Sequence, residues 1–162
     1  MKITKITTTV LHDPDGCVVQ DATTPPVDPS AKGRSQLFVH IHTDEGTVGL
    51  GMAPGQRAIR EVIHQSLDGV LVGQDPFMIE KLWQDMYWRV RGFGRKGIAF
   101  QAIAAIDIAL WDLKGRLLGQ PVWKVLGGAH RRSIRVYANG WYSSPGNAKQ
   151  NAEEAKVVTG MG

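Results

Sequence analysis

The stretch "AIAAIDIALWDLKGRLLGQPVWKVLGG", Ala102 to Gly128, decides the reading of the fold. Together with "IAFQ" ahead of it, it places Ala99, Ile103, Ile106, Leu110, Leu113 and Leu117 three or four residues apart, the spacing of one helical stripe. Ala102, Ala105 and Ala109 run beside that stripe and are small enough to admit a close neighbour. "QPVWKVLGG" then reads as a short helical tail with Pro121 near its start. Asp107 and Asp112 look like a carboxylate pair, but five residues along a helix turns them apart by roughly 140°. Asp107 is therefore expected to be a structural acid, and Asp112 to pair with Arg116 at i, i+4.

Upstream, the pattern is first β and then α. "KITKITTTVL" is β-branched and alternating, and "QLFVHIHTDEGTVGLG" reads as two alternating runs joined by a turn at "TDEG". These predict a three-stranded antiparallel meander. Between its first two strands lies a long loop, His12 to Arg34, rich in Pro, Asp, Ser and Gly; connections of that length usually carry function. "GQRAIREVIHQSLDGVL" is a helix with Ile59, Val62, Ile63 and Val70 on one face. "DPFMIEKLWQDMYWRV" is a second, with Asp75 as its cap, Pro76 at its first position and an Asp85–Arg89 pair. Three main helices are thus expected between Gln56 and Leu118.

Gly92, Gly94 and Gly97 have the spacing of a dinucleotide-binding turn, but a helix precedes them where that fingerprint needs a strand. The glycines read instead as a helix stop at Gly92 and a basic loop. His40 and His42 share one face of a strand, as metal ligands would. Leu37, Val39 and Ile41 claim the opposite, core-facing side, and no further ligand accompanies the histidines, so they read as an outward sheet face.

The net charge of +4 is uneven: residues 1–90 hold 8 Lys+Arg and 11 Asp+Glu, residues 91–162 hold 11 and 4. Arg89, Arg91, Arg95 and Lys96 form one cluster, and Arg131, Arg132 and Arg135 another. No reading helix or stacking platform accompanies them, so nucleic acid is not an expected partner. No apolar run approaches a membrane span, and the single cysteine, Cys17, fits a reducing compartment, so the cytoplasm is the expected location. Downstream, "SIRVYANGW" reads as a strand over about Ile134 to Asn139, and "SPGNAKQNAEEAKVV" as a helix.

The Ala102–Gly128 stretch resembles the signature helix of the mandelate racemase and muconate lactonizing group of the enolase superfamily. "MKITKI", "HTDEGTVGLG", "GQDP" and "VYANGW" follow in that family's order. The resemblance implies an α+β fold: an enolase-like capping domain over residues 1–127, a three-stranded meander followed by a helical bundle. Residues 128–162 would then begin a (β/α) barrel, truncated after about one βα unit. It implies proton abstraction α to a carboxylate, with Mg²⁺ stabilising the enediolate. The family's bases and metal carboxylates would lie beyond Gly162, so no catalytic residue and no metal ligand is expected among these 162 residues.

It also implies that two cap loops select the substrate, a small hydroxy acid or sugar acid. The candidate residues are Cys17, Val19, Gln20, Asp21 and Thr23 in the long loop and Met52 at the turn "GMAPGQR". Asn139, Trp141 and Tyr142 would join them at the end of the first barrel strand. The remainder of the barrel and further copies of the chain, as a homo-oligomer, are the expected partners. A loop rich in Thr, Asp and Gln favours a sugar-acid dehydratase, with racemase, epimerase or cycloisomerase next. A catalytically silent cap serving as an assembly or binding module is the alternative of another class.

Overall fold

The computed structural model describes residues 1–14, 33–137 and 148–161. Three strands, β1 (Ile3–Asp13), β2 (Arg34–Thr43) and β3 (Val48–Pro54), form an antiparallel sheet in the order β1-β2-β3. The alternation read from the sequence decides its faces: Leu37, Val39 and Ile41 are fully buried, while Phe38, His40 and His42 lie on the other side. Between β2 and β3 the turn closes through Thr43 and Thr47, with Gly46 at φ +81°, where a side chain would strain the backbone.

Helices follow, and those before residue 119 cover the inner face. α1 (Arg57–Val62), a π-helical turn (Ile63–Leu67) and α2 (Asp68–Leu71) are continuous in sequence; α3 (Ile79–Val90), α4 (Ile98–Leu118) and α5 (Val122–Val125) follow, and α6 (Ala148–Thr159) comes last. The π-turn was not expected, although its cause is visible in the residues. Ile59, Ile63, Leu67 and Leu71 are all buried and recur every fourth residue. In a regular α-helix that spacing drifts by roughly 120° over the three steps. The wider turn takes up the drift and keeps all four side chains on the core.

α4 seats against β3 through backbone. Gly49 and Gly51 face it, and a Cβ on Gly51 would stand 1.9 Å from the Ala105 carbonyl oxygen. Ala102, Ala105 and Ala109 are buried, as the close-packing reading requires, and Leu110 and Leu113 fill the core beside them. At its far end α4 stops on Gly119, which takes a left-handed conformation.

Three local readings need correction. Asp75 does not cap α3: its Oδ1 accepts the Phe77 N–H at 2.9 Å in a turn, and the helix begins at Ile79. Asp85 pairs with Lys81 at 2.6 Å, because Arg89 reaches across instead to donate to the Ser66 carbonyl at the π-turn. The strand expected from Ile134 is not formed over the described residues 134–137. Ile134, Val136 and Tyr137 are at least 80% exposed, and no described strand lies alongside to receive their backbone groups. The helix expected after it is present as α6. Among the described residues no helix is long and apolar enough to cross a membrane.

Candidate functional site

The two loops singled out from the sequence are rooted together at one end of the sheet. β1 finishes beside the start of β2, with His12 opposite Ser35 and Asp13 opposite Arg34. β3 finishes on the other side of the same strand, with Gln36 opposite Pro54. Ser35 joins all three: its carbonyl accepts the Gly55 N–H at 3.0 Å, and its Oγ lies 3.0 Å from His12 Nδ1. Glycine is required at both margins. A Cβ on Gly33, at φ +81°, would come within 2.3 Å of the Asp13 carbonyl oxygen, and one on Gly55 within 2.3 Å of the Ser35 Cβ.

Met52 is in the strand rather than in the turn, since β3 continues to Pro54. It stands on the outer face opposite Phe38, with half its surface exposed, and Leu50 precedes it on that face. The other candidates, Cys17, Val19, Gln20, Asp21, Thr23, Asn139, Trp141 and Tyr142, lie outside the described residues.

The remaining polar candidates resolve into scaffold. His40 and His42 share the outer face with ring centroids 6.4 Å apart, and His42 Nε2 is 2.9 Å from Thr7 Oγ1. Burial lowers the His42 pKa, and the positive charge of Lys5 and the neighbouring His40 lower it further. Among the described residues no three His, Cys, Asp or Glu side chains gather where they could hold a metal ion. Asp107 has a raised pKa, first through burial and then through the nearby Glu80.

Asp112 does pair with Arg116, at 2.7 Å, but the same oxygen also accepts the Leu50 N–H at 2.8 Å. It thereby occupies a backbone donor on the free edge of the sheet. Nor did the sequence reveal that His64 bridges Thr8 Oγ1 at 2.8 Å and Asp68 Oδ2 at 3.1 Å, tying β1 to the π-turn. The i, i+4 spacing of His64 and Asp68 was the available signal.

An open groove of about 800 Å³ lies next to α5, lined by Trp123, Ala129, His130, Arg131, Arg132 and Ile134. It involves none of the residues at the loop roots.

Comparison with known proteins gives this geometry a family. Residues 16–127 match the family described as "Mandelate racemase / muconate lactonizing enzyme, N-terminal domain". The chain belongs to this family. Curated relatives of this mandelate racemase/muconate lactonizing enzyme domain include a D-galactonate dehydratase from Verminephrobacter eiseniae, 47% identical over 109 residues. That match covers 65% of this chain and 27% of the relative. A D-galactarolactone cycloisomerase from Agrobacterium fabrum is 41% identical over 107 residues, covering 66% of this chain and 28% of the relative. The match therefore spans under a third of the length of these curated relatives. Among solved structures, the 3,6-anhydro-D-galactonate cycloisomerase from Zobellia galactanivorans superposes with a TM-score of 0.79 at 34% identity, covering 99% of this chain and 40% of that one. A racemase from Streptomyces coelicolor with bound magnesium gives 0.76 at 32% identity, covering 98% of this chain and 44% of that one.

Proposed function

We propose that this chain is the capping part of an enzyme that abstracts the proton α to the carboxylate of a sugar acid, and that its cap loops select the acid. The boundary we assign to the cap is residue 127, with residues 128–162 entering the barrel. The observation that carries the reading is the common root of the two loops at Ser35, which sets both at one end of a rigid sheet. Loops on such scaffolds are where binding residues concentrate. The substrate class is a galactose-derived acid, because the relatives named above act on D-galactonate, D-galactarolactone and an anhydrogalactonate.

Within that class we assign dehydration, supported by the 47% identity to the D-galactonate dehydratase over this part of the chain. Cycloisomerisation is the second reading, favoured by the cycloisomerases among the relatives. Magnesium is the cofactor this chemistry calls for, and among the described residues no three His, Cys, Asp or Glu side chains gather where they could hold it. What the described residues do is position the loops. Cys17, Val19, Gln20, Asp21 and Thr23, with Asn139, Trp141 and Tyr142, are the proposed substrate contacts, and Met52 supports them from the sheet face.

The test is mass spectrometry of the products formed from a panel of hexonic and hexaric acids and their lactones, using protein expressed from the full reading frame. Loss of one water from a galacto-configured acid is the expected result. An isomer of the substrate, separated by chromatography and shown by NMR to have closed or opened a ring, would transfer the assignment to the cycloisomerase, and no turnover of any acid would sink the reading.

A further inference from the structure

We infer that the outer edge of β1, from Lys5 to Asp13, pairs antiparallel with the same edge of a second copy of this chain, with Thr9 on the two-fold axis. The three strands of each copy then form one continuous sheet. The inference stands apart from the sugar-acid reading and involves no substrate.

The two edges of the sheet are treated differently. β1 and β3 are its outer strands, so each has a side without a strand neighbour among the described residues. At β3, Asp112 of α4 accepts the Leu50 N–H at 2.8 Å. At the start of β1, Ile3 is closed by backbone: its N–H donates to the Gln74 carbonyl at 2.9 Å, and its carbonyl accepts the Gly73 N–H at 2.8 Å. The ladder with β2 also shifts register there, between Ile3 and Lys5, and is regular afterwards. From Lys5 to His12 the described backbone hydrogen bonds of β1 run to β2 alone. Sheets ordinarily guard an exposed edge with charge, proline, a bulge or a covering segment. Thr7, Thr8, Thr9, Val10 and Leu11 carry neither charge nor proline, and Val10 and Leu11 are exposed. Their β-branched majority suits a strand paired on both sides.

The strand's own sequence says what fits this edge. The open stretch begins at Lys5, past the closed Ile3, and ends with β1 at Asp13. The antiparallel register that uses all of it is centred on Thr9. It sets Lys5 of each copy against Asp13 of the other, Thr7 against Leu11 and Thr8 against Val10. Opposite charges facing across a ladder stabilise it, and this pair occurs twice by symmetry. Asp13 can serve it while keeping a contact within its own chain, because a carboxylate offers about four acceptor positions. Centring on Thr8 instead would set Lys5 against Leu11 and Asp13 against the closed Ile3. Charge and the available edge therefore select the same register.

The test is sedimentation velocity on protein expressed from the full reading frame, with variants at the axis and at the charge pair. Thr9→Glu puts two like charges face to face and should weaken association by about tenfold or more. Lys5→Glu should weaken it too, and Lys5→Glu/Asp13→Lys should restore it. In a Cys17→Ser background, Thr9→Cys should give a disulfide-linked dimer on mild oxidation, since facing residues have Cα atoms about 4.5–5.5 Å apart. Thr7→Cys should not, because its counterpart in the second copy lies roughly 13 Å along the strand.

A wild type that is monomeric at every concentration overturns the inference. So does an association that Thr9→Glu leaves unchanged, or a charge exchange that fails to restore what Lys5→Glu removes. Cross-linking through Thr7→Cys in place of Thr9→Cys overturns the register. Should Thr9→Glu lose its circular dichroism, the two cysteine variants, which add no charge, decide the matter.

Discussion

Replacing Gly51 by alanine tests the tightest glycine seat among the described residues. The added methyl would lie 1.9 Å from the Ala105 carbonyl oxygen and 3.0 Å from the Ala105 carbon and the Ala109 nitrogen. Ordinary contact begins near 3.4 Å, so α4 and β3 must part by the difference, 3.4 − 1.9, or about 1.5 Å. Both sides of the clash are backbone, and no rotamer change relieves it. Parting the two elements also loosens Leu110 and Leu113, which are fully buried beside the contact. Overpacking costs about 1–3 kcal/mol in well-packed cores, and a backbone-on-backbone overlap belongs at the upper end, about 3 kcal/mol. For a protein of this size that lowers the thermal midpoint by on the order of 10 °C.

Two other glycines calibrate the result. Gly46 meets nothing within 4 Å but has φ +81°, so alanine there should cost about 1 kcal/mol through backbone strain alone. Gly69 lies in α2 with open space around it and no left-handed angle, so alanine should stabilise by about 0.5–1 kcal/mol. Urea denaturation followed by tryptophan fluorescence, with Trp83 packed against Tyr87 and Phe100 as a reporter, orders the three. A Gly51→Ala variant within about 0.5 kcal/mol of wild type, the scatter expected of surface changes, would refute the seating of α4 on β3.

Asp112→Ala should cost about 2 kcal/mol, because a charged acceptor is removed from the Leu50 N–H, and amide exchange at Leu50 should accelerate. Arg116→Ala removes only an exposed pair and should cost about 0.5 kcal/mol; equal losses from the two changes would contradict the edge-capping role. For Asp107, the folded pKa is raised above the ordinary 3.8, so the folded state holds its proton more tightly than the unfolded one. Stability attached to this group is therefore present below the ordinary value and is lost as pH rises through the folded pKa. Asp107→Asn should remove that loss and be at least as stable as wild type at pH 7. Denaturation midpoints across pH check it, and a less stable asparagine variant at pH 7 would show that the charged carboxylate is needed.

The features legible in the residues are those set by local period. β2 alternates, and its inner face of Leu37, Val39 and Ile41 is fully buried as read. The stripe and the alanines of α4 were both legible, since burial on a helix repeats within every turn. Even the π-turn left a trace, in four buried residues spaced by four. Choices between equivalent partners were not legible. Asp85 has a cation four residues away on either side, and only the position of the Ser66 carbonyl, on another element, draws Arg89 off and leaves Lys81.

The site was decided at longer range. Leu50 and Asp112 are 62 residues apart, and Thr8 and His64 are 56 apart; no window of sequence contains either pair. The shared root of the two loops at Ser35 exists because β2 pairs with β1 and β3 at once. Sequence determines which residues seek burial and where the chain turns. Which polar groups then face one another follows from how the buried faces pack, because hydrogen bonds and charges act only over the few ångströms that packing sets.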